Sequence, residues 1–405
     1  MAGRRRVRIS AVVALCALLV ALVSCAGGPG TDAGPADVQR LLDRRASALL
    51  DRDATAFLAT GARSGYDNLR DVPLAAWSYR VTDLRTAGDT ATVDAELSYR
   101  IGGHDKAPVT TARTLRLDRG ADGGWRVASD RPAAKSAQQL WDQGPVTVIT
   151  GEHSLVMGVG QSPAFLRDFA ALADRAVPAV SDAWDTGWGE QVVVLVPKSL
   201  DGMAALLGSP ASSYRGIAAV TTGEVGGSGS APADRIIVNP EAYGLLGASG
   251  KQVVLTHETT HVATRAHTNA ATPLWLSEGY ADWVGYRGTG RGPAEAAPEL
   301  ARAVTEGNVP QELPVDGDFG FTDDADALAR AYEGGWMACR LIAERWGEER
   351  LGAFYRAVGA HGKRAGAVET ALRQVLGTTP EAFTLEWRRY LETQLDVEVG
   401  ASPAG

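Results

Sequence analysis

The chain of 405 residues is poor in cysteine, with only Cys16, Cys25 and Cys339. Three cysteines cannot build a disulfide framework, and none has a partner at the spacing of a cysteine zinc site. Lysine is nearly as scarce, five of forty basic residues. Positive charge is short overall: acids outnumber bases and the formal net charge is −8, which argues against a nucleic-acid partner. After the first 25 residues no apolar run is long enough to span a bilayer.

The N-terminus has a different character. Arg4, Arg5, Arg6 and Arg8 form a basic segment, and residues 9–23 are apolar but short for a membrane span. The run ends in Leu22-Val23-Ser24-Cys25, which resembles the lipobox of bacterial lipoproteins. That resemblance implies a signal peptide over residues 1–25, lipidation of Cys25, and a mature chain held at the extracellular face of the cell membrane. The alternative is an ordinary secretory signal cleaved after a small residue. Residues 26–35 read as a flexible tether. Loss of the four leader arginines leaves 36 basic against 48 acidic residues, a mature charge of −12. Arginine in place of lysine, with heavy alanine and glycine use, suggests a GC-rich, actinobacterial source. Cys339, left without a partner, reads as a small core residue in an apolar helix.

The chemistry concentrates in residues 251–283, which contain His257-Glu258-Thr259-Thr260-His261, a break at Pro273, and Glu278. Residues four apart on a helix share a face, so His257 and His261 can hold one metal ion. Glu258 is then placed to take a proton from water without ligating the metal. With six histidines in the chain, a chance match has a probability of roughly one per cent or less. Ser249 is the expected N-cap, and Val253, Val254, Leu255 and Val262 supply apolar packing. Pro273 forces a break before a second helix.

Two residues compete as third ligand. His267 stands six beyond His261; six residues advance a helix by about 600°, so it would face well away. Glu278 lies in Trp275-Leu276-Ser277-Glu278-Gly279-Tyr280-Ala281, which resembles the Trp-Leu-x-Glu-Gly-x-Ala second-helix pattern of the thermolysin-like gluzincins. The metzincins, which use the His267 spacing, need a glycine where Thr264 stands and a Met-turn, whereas Met337 falls inside an expected helix. The gluzincin resemblance implies that His257, His261 and Glu278 hold one Zn²⁺. It also implies that Asp282, four beyond Glu278, accepts a hydrogen bond from the first ligand histidine; the plain alternative is a solvated aspartate. The 16 residues between His261 and Glu278 are somewhat few for that family. Tyr332, in Ala331-Tyr332-Glu333-Gly334-Gly335-Trp336, is similar to the Tyr-x-Lys-Gly tyrosine of gluzincin aminopeptidases, which stabilises the oxyanion; here Gly334 replaces the lysine. The alternative is a tyrosine packed at the start of a helix running to about Trp346.

The expected fold class is α+β, in two domains. Residues 36–140 read as a helix over 36–51 and strands at 77–84, 91–101, 109–117 and 125–128, with turn residues between them. This helix-plus-curved-sheet pattern looks like the nuclear transport factor 2-like fold, a structural or ligand-binding module. Its His104, in a glycine-rich turn, is expected to be exposed. Residues 145–397 read as a second domain with strands at 146–149, 152–159, 192–196, 217–222 and 235–238, helices at 164–184 and 199–207, then the motif helices and a helical C-terminal half at 348–358, 366–376 and 380–395. It resembles the peptidase MA-like gluzincins related to aminopeptidases. In that architecture the edge strand at 217–222 pairs with extended substrate. A glycine- and serine-rich loop at 223–234 and a proline-, glycine- and aspartate-rich loop at 313–326 interrupt the domain, and residues 398–405 read as a disordered tail.

The expected function is a zinc peptidase acting on a peptide or protein substrate. A zinc-activated water attacks, Glu258 is the general base, and Tyr332 stabilises the oxyanion. The Gly-x-Met-Glu-Asn segment of aminopeptidases is missing, which tilts the reading toward an endopeptidase or a very short-peptide specialist and leaves the two open. The competing readings are a catalytically inactive ligand-binding lipoprotein and a zinc hydrolase acting on cell-wall peptides.

Overall fold

A computed structural model describes residues 34–222, 232–320 and 324–395. The leader with Cys25, most of the glycine- and serine-rich loop, part of the 313–326 loop and the C-terminal tail lie outside the described residues. Among the described residues no helix is long and apolar enough to cross a membrane.

The chain opens with α1 (Pro35–Leu50), whose Val38, Leu41, Leu42, Ala46 and Leu49 recur at helical spacing and are all buried. Two short helices follow, α2 (Ala54–Ala59) and α3 (Ser64–Leu69). Then come β1 (Leu74–Ala87), β2 (Thr90–Ile101), β3 (Val109–Arg119) and β4 (Trp125–Pro132), an antiparallel sheet in chain order. Gly88 and Asp89 make the first hairpin, where Gly88 takes a left-handed φ of 62°. In β2 every second residue from Ala91 to Ile101 is buried, giving one inner face. Register shifts between Val81 and Asp83, and between Arg116 and Leu117, are the kind of irregularity that bends a sheet. α1 packs across β1.

The second sheet contains β5 (Val146–Thr150), β6 (Ser154–Val159), β7 (Val192–Val196), β8 (Ala219–Thr222) and β9 (Arg235–Val238), in the order β5-β6-β7-β9-β8. The central strands β6, β7 and β9 are parallel; β5 and β8 are antiparallel edges. α4 (Pro163–Ala183) connects β6 to β7, with Ser162 Oγ accepting from Phe165 N at 3.2 Å as its N-cap. α5 (Leu200–Leu207) and α6 (Pro240–Gly244) complete this layer.

Every residue of β6 and β7 is buried, because both faces of the sheet are covered. In β7, Val192, Val194 and Val196 join one core with Phe169, Val177 and Leu255. Val193 and Leu195 join Leu155, Met157 and Ile237 in a different core. That core also contains Val38, Leu42, Val93, Leu97 and Leu115, so the first and second sheets share a single apolar interior. A buried ion pair crosses the same boundary: Arg235 Nη2 donates to both oxygens of Asp105 at 2.8 and 2.9 Å, and the Asp105 side chain is 0 % exposed.

The rest is helical: α7 (Ala248–Thr264), α8 (Leu274–Tyr286), α9 (Pro293–Ala296), α10 (Pro298–Thr305), α11 (Ala325–Trp346), α12 (Glu348–Ala360), α13 (Ala367–Ala371), a π turn at Leu372–Leu376, and α14 (Pro380–Leu395). Trp275, Trp336, Phe354, Phe383 and Trp387 centre their core, and Cys339 is buried in it. α8 and α11 cross with almost no side chain between them. A Cβ on Gly279 would stand 2.3 Å from the Gly335 carbonyl, and one on Gly335 would stand 2.6 Å from Trp275 O.

Several expectations need correction. Ser249 does not cap the motif helix; Gly247 precedes it and Ser249 is already helical. Tyr332 is not at a helix start, since α11 begins at Ala325 behind Asp324, whose Oδ1 accepts from Ala327 N at 2.9 Å. His104 is half-buried rather than exposed, because its turn lies against the second sheet next to the Asp105–Arg235 bridge. The helices α2, α3, α6 and α9 are too short for periodicity to announce them.

Candidate active site

Four elements converge on the motif: α7, α8, α11 and the edge strand β8. α7 buries Thr256, Thr259 and Thr260. Two of these hydroxyls bond within the helix, Thr259 to Leu255 O at 2.7 Å and Thr260 to Thr256 O at 2.8 Å. The helix can therefore present polar residues to neighbours on several sides. One turn apart, His257 and His261 bring their Nε2 atoms to 3.0 Å.

α8 supplies the third group. Pro273 starts it with an extended backbone, and the preceding turn is pinned. Asn269 Oδ1 accepts from Ala271 N at 2.8 Å, and Asn269 Nδ2 donates to Gly359 O at 2.6 Å. The short connection is thus a tied turn, and it delivers Glu278 Oε2 to 3.3 Å from His257 Nε2 and 3.4 Å from His261 Nε2. Gly285 lets α8 lie close on α7, since a Cβ there would meet Val253 O at 3.1 Å. One turn past Glu278, Asp282 Oδ1 lies 2.8 Å from His257 Nδ1.

His257, His261 and Glu278 are the one group of metal-ligating side chains found among the described residues, their ligand atoms within 4.8 Å of one another. Ligand atoms about 2.0–2.1 Å from one tetrahedral ion stand about 3.3 Å apart. The observed 3.0, 3.3 and 3.4 Å fit that spacing. Asp282 beside Nδ1 favours a proton on that nitrogen, which leaves Nε2 as the atom available to a metal. His267 is elsewhere, in the turn Arg265–His267 with its ring against Trp184.

The charge distribution favours a cation. Burial alone would lower the His257 pKa, but Asp282, Glu278 and Glu258 outweigh it and hold it well above the ordinary value. Burial alone would raise the Glu278 carboxyl, but His261 and His257 hold it far below its usual range.

Glu258 is buried, and Thr221 in β8 donates through Oγ1 to its Oε2 at 2.6 Å. Tyr332 sits edge-on to Phe319, ring centroids 5.1 Å apart. Burial first, then the charges of Glu278, Asp282 and Glu258, push its phenol well above the ordinary pKa, so it stays protonated and able to donate.

Sequence reasoning missed Thr221, although it lies in the strand expected to take substrate. It also missed Gly279, Gly285 and Gly335. Their signal was present: glycine inside a helix costs about 1 kcal/mol relative to alanine, so three in two packed helices mark close approach.

No family model matches the chain, and a search of curated proteins finds no match. Among solved structures, it is similar to an M1 zinc metallopeptidase from Deinococcus radiodurans at 16% identity and a TM-score of 0.36, covering 80% of this chain and 64% of that one. A two-domain M1 zinc metallopeptidase bound to L-arginine aligns at 11% identity and a TM-score of 0.37, over 84% of this chain and 95% of that one. Native yeast LTA4 hydrolase aligns at 11% identity and a TM-score of 0.35, over 77% of this chain and 52% of that one.

Proposed function

We propose that the chain is a zinc-dependent peptidase of the gluzincin class. The observation that carries the reading is the convergence of His257 Nε2, His261 Nε2 and Glu278 Oε2 at the spacing of one tetrahedral ion, with the Glu258 carboxylate on the next residue of the same helix. These three residues would hold one Zn²⁺ per chain. When bound, zinc polarises a carbonyl oxygen and makes water a stronger acid.

The remaining steps belong to the chain. Thr221 occupies Oε2 of Glu258, which leaves Oε1 to take the proton from the attacking water and pass it to the leaving amine. Asp282 holds the His257 ring in one orientation. Tyr332 Oη donates to the negative charge that develops on the peptide oxygen. β8 is an edge strand among the described residues, and its outer edge would pair with an extended peptide through its backbone, which favours an endopeptidase with little sequence preference.

The first unit belongs, in this reading, to the nuclear transport factor 2-like class, on the packing of α1 across a four-stranded sheet with register shifts. Its place is the extracellular face of a bacterial membrane, through lipid on Cys25. That part rests on the Arg4–Arg8 cluster, the apolar run and Leu22-Val23-Ser24-Cys25.

The test is zinc content by mass spectrometry after mild dialysis, together with turnover of a quenched peptide library. Near-stoichiometric zinc and peptide turnover are expected. Glu258→Gln should keep the zinc and lose turnover. A wild-type chain without zinc overturns the reading. Cys25→Ser should move the protein from the membrane fraction to the medium; unchanged membrane association removes the anchor.

A further inference from the structure

The first unit contains a cavity of about 570 Å³ that the peptidase reading does not use, between α1, α3 and the inner face of the sheet. That size suits a small molecule. Its walls are aromatic and its floor is charged. Trp77 and Trp141 lie with ring centroids 5.4 Å apart, and Phe57 carries the Arg45 guanidinium 3.7 Å above its ring.

Two buried arginines line the cavity in unlike states. Arg113 is saturated: Nε donates to Asp130 at 2.7 Å, and Nη1 and Nη2 donate to Asp142 at 2.9 and 2.8 Å. Asp130 also accepts from Tyr79 Oη at 2.6 Å, so both aspartates are committed. Arg45 is 4 % exposed, yet it makes no ion pair among the described residues. Its bonds run to neutral oxygens, Nη1 to Thr60 Oγ1 at 3.0 Å and Nη2 to Ala62 O at 2.9 Å. Those use two of its five donors. Burial lowers its pKa, and the nearby Asp130 only partly offsets this.

The charge balance points to an anion. Three arginines, Arg45, Arg113 and Arg131, face two aspartates, which leaves one net positive charge. Beside Arg45 the wall is a glycine: a Cβ on Gly65 would stand 3.1 Å from Arg45 Nη2 and 3.4 Å from the Phe57 ring. Glycine at this position lets the backbone of α3 lie close against the guanidinium.

We propose that this cavity binds a small monoanion, a carboxylate on an aromatic body. The carboxylate pairs with Arg45 and the ring lies among Phe57, Trp77 and Trp141. A planar guanidinium recognises a carboxylate through parallel N–H bonds, and aromatic walls take a flat apolar group by edge or offset stacking.

The experiment is calorimetric titration of the full chain with phenylacetate, with and without EDTA. Acetate supplies the charge without the ring, and 2-phenylethanol the ring without the charge. Phenylacetate should bind saturably with a Kd of about 1 mM or tighter, unchanged by EDTA. Acetate and 2-phenylethanol should each bind at least about tenfold more weakly. Arg45→Met should weaken phenylacetate by about tenfold or more. Because Arg45 also ties α1 to the Thr60–Ala62 segment, Ser129→Leu, on the cavity lining, serves as a second variant that narrows the space and keeps the arginine; it should abolish binding. The proposal is overturned if phenylacetate shows no saturable binding up to about 10 mM. It is equally overturned if either partial probe binds as well, if EDTA removes the binding, or if the folded variants bind like the wild type.

Discussion

Thr221 Oγ1 donates a 2.6 Å hydrogen bond to Glu258 Oε2, tying the edge strand to the carboxylate beside His257. A hydrogen bond to a charged group is worth about 1.5–3 kcal/mol, and about 1.4 kcal/mol of transition-state stabilisation is tenfold in rate. Thr221→Val should therefore lower kcat by about tenfold with KM nearly unchanged, and Thr221→Ser should restore it. A change confined to KM would show that Thr221 serves only the strand.

Asp282 reaches the His257, His261 and Glu278 cluster through His257 Nδ1 at 2.8 Å. Removing such a partner weakens metal affinity by about 10–100-fold. Asp282→Asn should show that loss in a competition assay with a zinc chelator, with the far-UV circular dichroism unchanged. Wild-type affinity would reduce Asp282 to a surface charge.

Tyr332 stays protonated because burial and three nearby carboxylates oppose its ionisation. Loss of one oxyanion donor costs about 10²–10³ in kcat. Tyr332→Phe should lose about that much with full zinc content. Wild-type turnover in the variant would leave the phenol as packing against Phe319.

Gly279 and Gly335 let α8 and α11 meet at their backbones. Gly279→Ala forces the helices apart next to Glu278, at a cost of about 1–3 kcal/mol for overpacking. Both the urea midpoint and the zinc affinity should fall together. A variant with lowered stability and unchanged zinc affinity would uncouple the crossing from the metal group.

Glu333 accepts N–H groups from Leu300 at 2.6 Å and Glu299 at 3.3 Å, at the start of α10. Burial nevertheless pushes its carboxyl up from 4.5 to about 7, with Glu299 and Asp282 adding to the rise. Between those values the folded chain binds the proton more tightly than the unfolded chain. Its stabilising share is full below pH 4.5 and is lost as pH rises to about 7. The loss is at most about 3 kcal/mol, reduced by solvent around a half-buried group. Glu333→Gln should flatten this fall in urea midpoints; parallel wild-type and variant curves would sink the assignment.

The parts of the site that read clearly from the sequence were those set by local geometry. One helical turn relates His257 to His261 and Glu278 to Asp282, and Pro273 marks the break between the two pairs. Thr221 was illegible as a partner because it lies 37 residues from Glu258 and meets it only through the antiparallel pairing of β8 with β9. The start of α11 was masked by a stretch rich in proline, glycine and aspartate, in which Asp324 reads equally as turn or N-cap. The continuous apolar run of β7 announced a buried strand. Its alternation between two interiors depends on what covers each face, and no period within the run encodes that.

That alternation has a thermodynamic consequence. Leu155, Met157, Val193, Leu195 and Ile237 lie in one interior with Val93, Leu97 and Leu115 of the first sheet. Stripping away the first unit would expose these large side chains, each worth about 1.5–3 kcal/mol when buried. The boundary near residue 145, so visible in the pattern of strands, is therefore no seam in the energy landscape. The first sheet covers one face of the second, and the two are expected to unfold together in a single transition on heating.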